Sequence, residues 1–140
     1  MKFPYVKIPP PNTRGKWISR PIISITLSGS SGRATVEALI DSGADLSLFH
    51  VSLAHKIGIN LVDCPTAIFS GIESGKLNAW LHEVAVEIVG IGKSTKFNVG
   101  FVDSPGVFAI LGQEGFFDHY RIKFERDHDI FEITPAHSKR

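Results

Sequence analysis

Ala38-Leu39-Ile40-Asp41-Ser42-Gly43-Ala44-Asp45-Leu46-Ser47-Leu48-Phe49 runs from three apolar residues into a carboxylate, a hydroxyl, a glycine and a small residue. A strand made of Ala38, Leu39 and Ile40 has no polar side chain on either face, so it is expected to lie buried on both. Asp41 then stands at the end of a buried strand. There an ionised carboxylate costs free energy unless hydrogen bonds, or a second carboxyl sharing its proton, offset the burial. Gly43 lets the backbone turn sharply and leaves room for another chain to approach. Ser42 adds a donor and an acceptor beside the acid. Asp-Ser-Gly by itself is also a common turn or cap, because Asp and Ser both bond nearby amides. The apolar run ahead of it and Ala44-Asp45 behind it turn the reading toward chemistry.

The rest of the chain provides a core for such a loop. At 140 residues, with 43% hydrophobic and 21% charged side chains, it reads as one globular domain. Its 13 glycines and 8 prolines suit a turn-rich β protein. No apolar run reaches bilayer-spanning length, and Met1 to Lys7 has no signal-type apolar stretch, so no membrane association is expected. Cys64 is the single cysteine and cannot close an intrachain disulfide, which fits a cytoplasmic location. A net charge of +1 gives no general pull toward nucleic acid. The charge is uneven, however. Residues 1–20 carry Lys2, Lys7, Arg14, Lys16 and Arg20 with no acid, so the remainder is net acidic. That stretch includes Pro9-Pro10-Pro11, which favours polyproline II and cannot join a central strand. Residues 1–20 are therefore read as a basic arm, either solvated or laid as a strand along a neighbour.

From Pro21 the pattern is β. Pro21 to Leu27 is rich in β-branched residues, Ser28-Gly29-Ser30-Ser31-Gly32 is turn chemistry, and Ala34 to Ile40 returns. The hairpin delivers Asp41 to its end. Leu53 and Ile57, four apart between Ser52 and Gly58, predict a short helix with Ser52 as N-cap and Gly58 as stop. Thr66 to Phe69 and Leu77 to Trp80 flank the glycine-bearing tip Ser70 to Lys76 and read as a hairpin. Leu81 to Val89 continues with Val84, Val86 and Ile88 on one face, and Lys96 to Val102 alternates again. A second fully apolar run, Val107 to Leu111, ends in Gly112, and Gln113 to His119 is expected to form one short helix. Tyr120 to Glu125 and Ile130 to Ile133 form a last hairpin. Strands at regular spacing with little helix imply a closed or folded-over β structure.

Three motifs in order, Arg20-Pro21-Ile22-Ile23-Ser24-Ile25, then Ala38 to Asp45, then Ala109-Ile110-Leu111-Gly112, resemble the retropepsin-like (retroviral-type) aspartic proteases. The resemblance implies an all-β, closed acid-protease barrel with one or two short helices, forming half of a twofold dimer. It assigns residues 21–134 to the protease domain, 1–20 to the basic arm and 135–140 to a C-terminal tail. Asp41 matches the catalytic aspartate. Ser42 and Gly43 match the loop that braces the two halves of the active site. Gly43, Ala44 and Asp45, with Ser70, Gly71 and Ile72 of the flap, match positions that bind substrate. The retroviral enzymes usually carry Arg after the glycine of the third motif, whereas Gln113 stands here and cannot make the same ion pair.

The implied activity is hydrolysis of peptide bonds in a peptide or protein substrate, with no metal and no cofactor. Two carboxyls sharing one proton is the established behaviour of aspartic proteases as a class. This chain offers one suitable Asp-Ser-Gly, because Asp103-Ser104-Pro105 breaks the pattern with proline. A working site therefore calls for a homodimer. The alternative is a catalytically silent dimerisation or peptide-binding module of the same fold. The intact Asp41-Ser42-Gly43 argues against it. Cys64 lies next to Pro65 in a loop context that suits no cysteine hydrolase, and the six histidines show no metal-ligand spacing.

Overall fold

Both the alternating and the fully apolar runs become strands in the computed structural model, which describes residues 1–10, 15–71 and 75–137. In chain order these are β1 (Lys2–Pro4), β2 (Val6–Ile8), β3 (Ile18–Arg20), β4 (Ile22–Ser28), β5 (Arg33–Ile40) and β6 (Leu48–His50). Helix α1 (Val51–Lys56) follows, then β7 (Thr66–Gly71), β8 (Gly75–Ile88), β9 (Ser94–Val102) and β10 (Ala109–Leu111). Helix α2 (Phe116–His119), β11 (Tyr120–Glu125), a 3₁₀ turn (Arg126–His128) and β12 (Ile130–Pro135) complete the chain. Among the described residues, no helix is long and apolar enough to cross a membrane.

The hairpin ahead of Asp41 forms as its alternation predicts, with Ile22 opposite Leu39 and Ser28 opposite Arg33. It belongs to a sheet of order β4-β5-β10-β6-β9-β8-β7, in which β4 also pairs with β8. That last pairing, Ile25 opposite Ile88 through Ser28 opposite Ala85, closes the ring and leaves β7 as an extension on β8. The long strand β8 makes this possible. Its first residues pair with β7, from Gly75 opposite Gly71 to Trp80 opposite Thr66, and its last residues close the barrel.

Side-chain period decides what fills the ring. Ile23, Ile25 and Leu27 of β4 and Val84, Val86 and Ile88 of β8 are all buried, with Ala38, Ile40, Phe49, Val99, Phe101 and Leu111 among them. Each large aliphatic side chain so buried contributes about 1.5–3 kcal/mol relative to exposure. Asp41 therefore follows a strand whose end is anchored in the core.

Three local expectations are corrected. Helix α1 starts at Val51 with His50, not Ser52, as N-cap, because the His50 Nδ1 serves as the acceptor for the Ser52 amide at 3.1 Å. Gly58, at φ +77°, ends the helical stretch as expected. Strand β10 covers only Ala109–Leu111 of the longer apolar run. Val107 N–H closes a turn onto the Ser104 carbonyl, and the pairing with β6 ends just before it, where the Phe108 carbonyl accepts from His50 N–H. Helix α2 is confined to Phe116–His119, since Glu114 bridges Leu46 in the manner of a strand and Gly115 sits at φ +91°.

The termini form a separate sheet of order β1-β12-β11. Of the two readings of residues 1–20, the strand along a neighbour holds for Lys2–Pro4, which pairs with β12 through Phe3 opposite Phe131. Pro4 is tolerated there because β1 is an edge strand. Val6–Ile8 pairs with Ile18–Arg20.

Candidate active site

Asp41 leaves β5 with its amide donating to the Leu111 carbonyl at 2.9 Å. The chain then turns. Ala44 N–H donates to the Asp41 carbonyl at 3.2 Å, and Gly43 N–H donates to Asp41 Oδ1 at 2.9 Å. A Cβ on Gly43 would stand 3.2 Å from that carboxylate oxygen, so glycine keeps the turn uncrowded. Among the described residues the other carboxylate oxygen, Oδ2, takes no hydrogen bond. It is free to meet a water or a second carboxyl.

The segment leaving β10 pins the rest of the loop. Gln113 N–H donates to the Ala44 carbonyl and Glu114 N–H to the Asp45 carbonyl, both at 2.8 Å. Gly112 N–H donates to Ser47 Oγ at 3.0 Å in a fully buried setting. The Gln113 side chain adds Nε2–H to the Ser42 carbonyl at 2.7 Å. Residues 41, 42, 44, 45 and 47 are thus all tied to residues 111–113 or 114. The loop has little freedom to move its carboxylate.

The expectation of a buried Asp41 is corrected. Within one chain Asp41 is half-buried and Ser42, Gly43 and Asp45 are exposed. The apolar run ends at Ile40, and among the described residues the outer side of the turn is left exposed at Ser42, Gly43 and Asp45. Asp41, Ser42, Gly43, Ala44 and Asp45 come together on this one loop. Of the flap positions, Ser70 and Gly71 end strand β7, pairing with Lys76 and Gly75, while Ile72 lies outside the described residues. A cavity of about 250 Å³ between the flap hairpin and the loop is lined by Leu46, Pro65, Phe69, Leu81, Asn98 and Glu114.

Two contributors go beyond the motif. Ser47 is a lone hydroxyl within Leu46 to Phe49, and a buried polar group inside an apolar run is the signal that it has a structural partner. Gln113 stands out in sequence only as a missing arginine, yet it braces the loop without a charge. Cys64 is no competing nucleophile. Burial, and then the neighbouring Asp63, push its thiol above the ordinary range, which keeps it protonated near neutral pH.

Ser47→Ala should cost about 1–3 kcal/mol, because it strands the buried Gly112 amide without an acceptor. Urea unfolding of the variant beside the native protein measures this. An unchanged midpoint would mean that the amide finds another partner and that the Ser47 bond does not hold the loop.

Comparison with known proteins agrees with this arrangement. The family described as aspartyl protease matches residues 23–114. No curated protein matches the chain in sequence. Among solved structures, a retropepsin-like aspartic protease from Rickettsia conorii is similar in fold, with a TM-score of 0.61 and 16% identity over 96% of this chain and 98% of that one. The retroviral protease-like domain of Ddi1 from Leishmania major is similar too, with a TM-score of 0.53 and 16% identity over 80% of this chain and 87% of that one. At such identities the likeness concerns the retropepsin-like fold, and the family match supplies the rest: the chain belongs to the aspartyl protease family.

Proposed function

We propose that the chain is an aspartic endopeptidase active as a homodimer, with Asp41 of each copy supplying half of a carboxyl dyad. The observation that carries this reading is the half-exposed Asp41 carboxylate, held by its own loop through one oxygen only, on a loop pinned to residues 111–114. A rigid carboxylate on an uncovered face suits a second carboxylate brought opposite it by a twofold axis.

In the dyad one carboxyl holds the shared proton and the other is ionised. The ionised carboxylate takes a proton from a water as its oxygen adds to the scissile carbonyl carbon. The protonated carboxyl donates its proton to the carbonyl oxygen, giving a tetrahedral diol. Collapse of the diol breaks the C–N bond as a proton passes to the leaving nitrogen, and a carboxyl and an amine are released. Ser42 braces the paired loops. Gly43, Ala44 and Asp45 border the peptide main chain, and Ser70, Gly71 and Ile72 close over it.

The test is incubation with a diverse peptide pool, mapping the cleavages. Discrete cleavages by the native protein support an endopeptidase, and none at any concentration favours the silent module. The dimer adds a quantitative expectation. Activity per mole of protein should fall on dilution below the dimer dissociation constant, because each monomer holds half the dyad. A sedimenting monomer with full activity would overturn the shared dyad.

A further inference from the structure

A cavity of about 740 Å³ lies between the start of β9, helix α2 and the end of β12, and no residue of the acid loop lines it. Its volume falls within the range of about 300–1,000 Å³ usual for small-molecule sites. Part of its lining is cationic. Lys93 and Lys96 come from β9 and the turn before it, His119 from the end of α2, and His137 from beyond β12. Among the described residues none of the four takes part in an ion pair. Asp118 is the one acid among the described lining residues, and its Oδ2 is engaged by the Gly115 amide at 3.0 Å. Positive charge gathered on a concavity, with little negative charge to answer it, suits an anion.

The uncharged groups make the same offer. Tyr120 is 3% exposed, and its hydroxyl meets Thr95 Oγ1 at 3.2 Å. Two hydroxyls bring two protons, and the bond between them uses one. The other has no acceptor among the described residues, although both side chains line the cavity. His119 is set in a similar way. The Gly115 carbonyl can only accept, so His119 Nδ1 carries the proton and Nε2 is left for a ligand. Stacking on Phe97, with ring centroids 5.7 Å apart, holds the imidazole in plane.

The residue types narrow the anion. The cations are lysines and histidines, with no arginine among the described lining residues. The flat fork of arginine is the better match for a carboxylate, whereas lysine serves phosphate as a point charge. Phe117, Pro135 and Ala136 give the lining an apolar part that inorganic phosphate would leave bare.

We propose that this cavity binds a small organic phosphate. Lys93, Lys96 and the Thr95–Tyr120 hydroxyls hold the phosphate, and Phe117 and Pro135 cover the organic body. The site has a short connection to the acid loop, since Phe117 N–H donates to the Gly112 carbonyl at 3.3 Å and Gly112 N–H to Ser47 Oγ. Binding requires only the fold, whether or not the chain hydrolyses peptides.

Inorganic phosphate, adenosine monophosphate and adenosine separate the anion from the body that carries it. Each is titrated into the isotope-labelled protein at constant ionic strength, with amide resonances as the readout. Every ligand of this class carries the same anion, so inorganic phosphate should already shift the amides of residues 93–96 and 119–120 saturably. Adenosine monophosphate should bind about tenfold more tightly, as one aromatic contact supplies, and adenosine should not saturate. The double variant Lys93→Gln/Lys96→Gln replaces exposed side chains, so its melting temperature should be unchanged while both phosphates bind about tenfold more weakly. Lys123→Gln, outside the cavity, should bind as the native protein does. Phe117→Ala should bring adenosine monophosphate down to the level of inorganic phosphate. Shifts that never saturate, or a folded Lys93→Gln/Lys96→Gln protein with native affinity, would overturn the site. Adenosine binding as tightly as its monophosphate would overturn phosphate as the group recognised. Adenosine monophosphate no tighter than inorganic phosphate would overturn the organic body.

Discussion

Asp41→Asn should abolish peptide hydrolysis, with a loss of at least about 10⁴-fold, the upper end of what positioned acid–base catalysis contributes. In a homodimer one substitution removes both carboxyls at once, so no ionised base remains to take the proton from water. Asparagine is isosteric, and its side-chain oxygen can still accept from Gly43 N–H as Asp41 Oδ1 does at 2.9 Å. The loop contacts through Asp41 N–H and carbonyl are main-chain and do not change. Circular dichroism, melting and sedimentation should therefore match the native protein while cleavage of the peptide pool disappears. Loss of activity with loss of fold would not count. A folded Asp41→Asn dimer that turns over substrate at the native rate would end the aspartic mechanism.

Gly112→Ala should have the second largest effect, on both stability and rate. A Cβ there would stand 2.6 Å from the Leu46 carbonyl oxygen and 2.7 Å from that of Ala44. Both are main-chain atoms of the loop that carries Asp41, so no side chain can swing aside to absorb the clash. Overpacking of this kind costs about 1–3 kcal/mol, and displacing the loop also weakens the Gly112–Ser47 bond. A catalytic group misplaced by about 1 Å can lose about 10²-fold in rate. The expected result is a lower urea midpoint together with a kcat reduced about a hundredfold. Gly106→Ala is the control, since the nearest atom to its Cβ is Ser104 Oγ at 4.0 Å, and it should change neither quantity. A Gly112→Ala enzyme with native midpoint and kcat would mean that the loop is not held by the segment after β10.

How much of this was legible beforehand differs from element to element. Strands β4 and β5 were readable almost to the residue, because alternation and β-branching are local and their turn is spelled out in Ser and Gly. The loop Asp41 to Asp45 was readable for the same reason: an apolar run, an acid and a glycine stand side by side. The short length of α2 was not. Gln113 and Glu114 belong to no helix because this segment bridges Leu46 as a strand would, some seventy residues earlier in the chain. The N-cap of α1 was misplaced because a histidine nitrogen does the work expected of a serine oxygen.

The exposure of Asp41 marks the boundary most clearly. Its neighbours in the chain say that the strand behind it is buried on both faces; Ala38 and Ile40 are, while Leu39 on the other face is half-buried. Whether the carboxylate itself is covered depends on what folds across the turn, and that is a property of the whole surface. From sequence alone came the positions of the strands, the acid loop and the resemblance they make together, since each depends on side chains a few residues apart. Only the tertiary structure decided that β1 pairs with β12 and that Ser47 and Gln113 secure the loop. Those outcomes rest on hydrogen bonds between distant segments, from main chain or side chain, and alternation says that a strand exists without saying which strand it will meet.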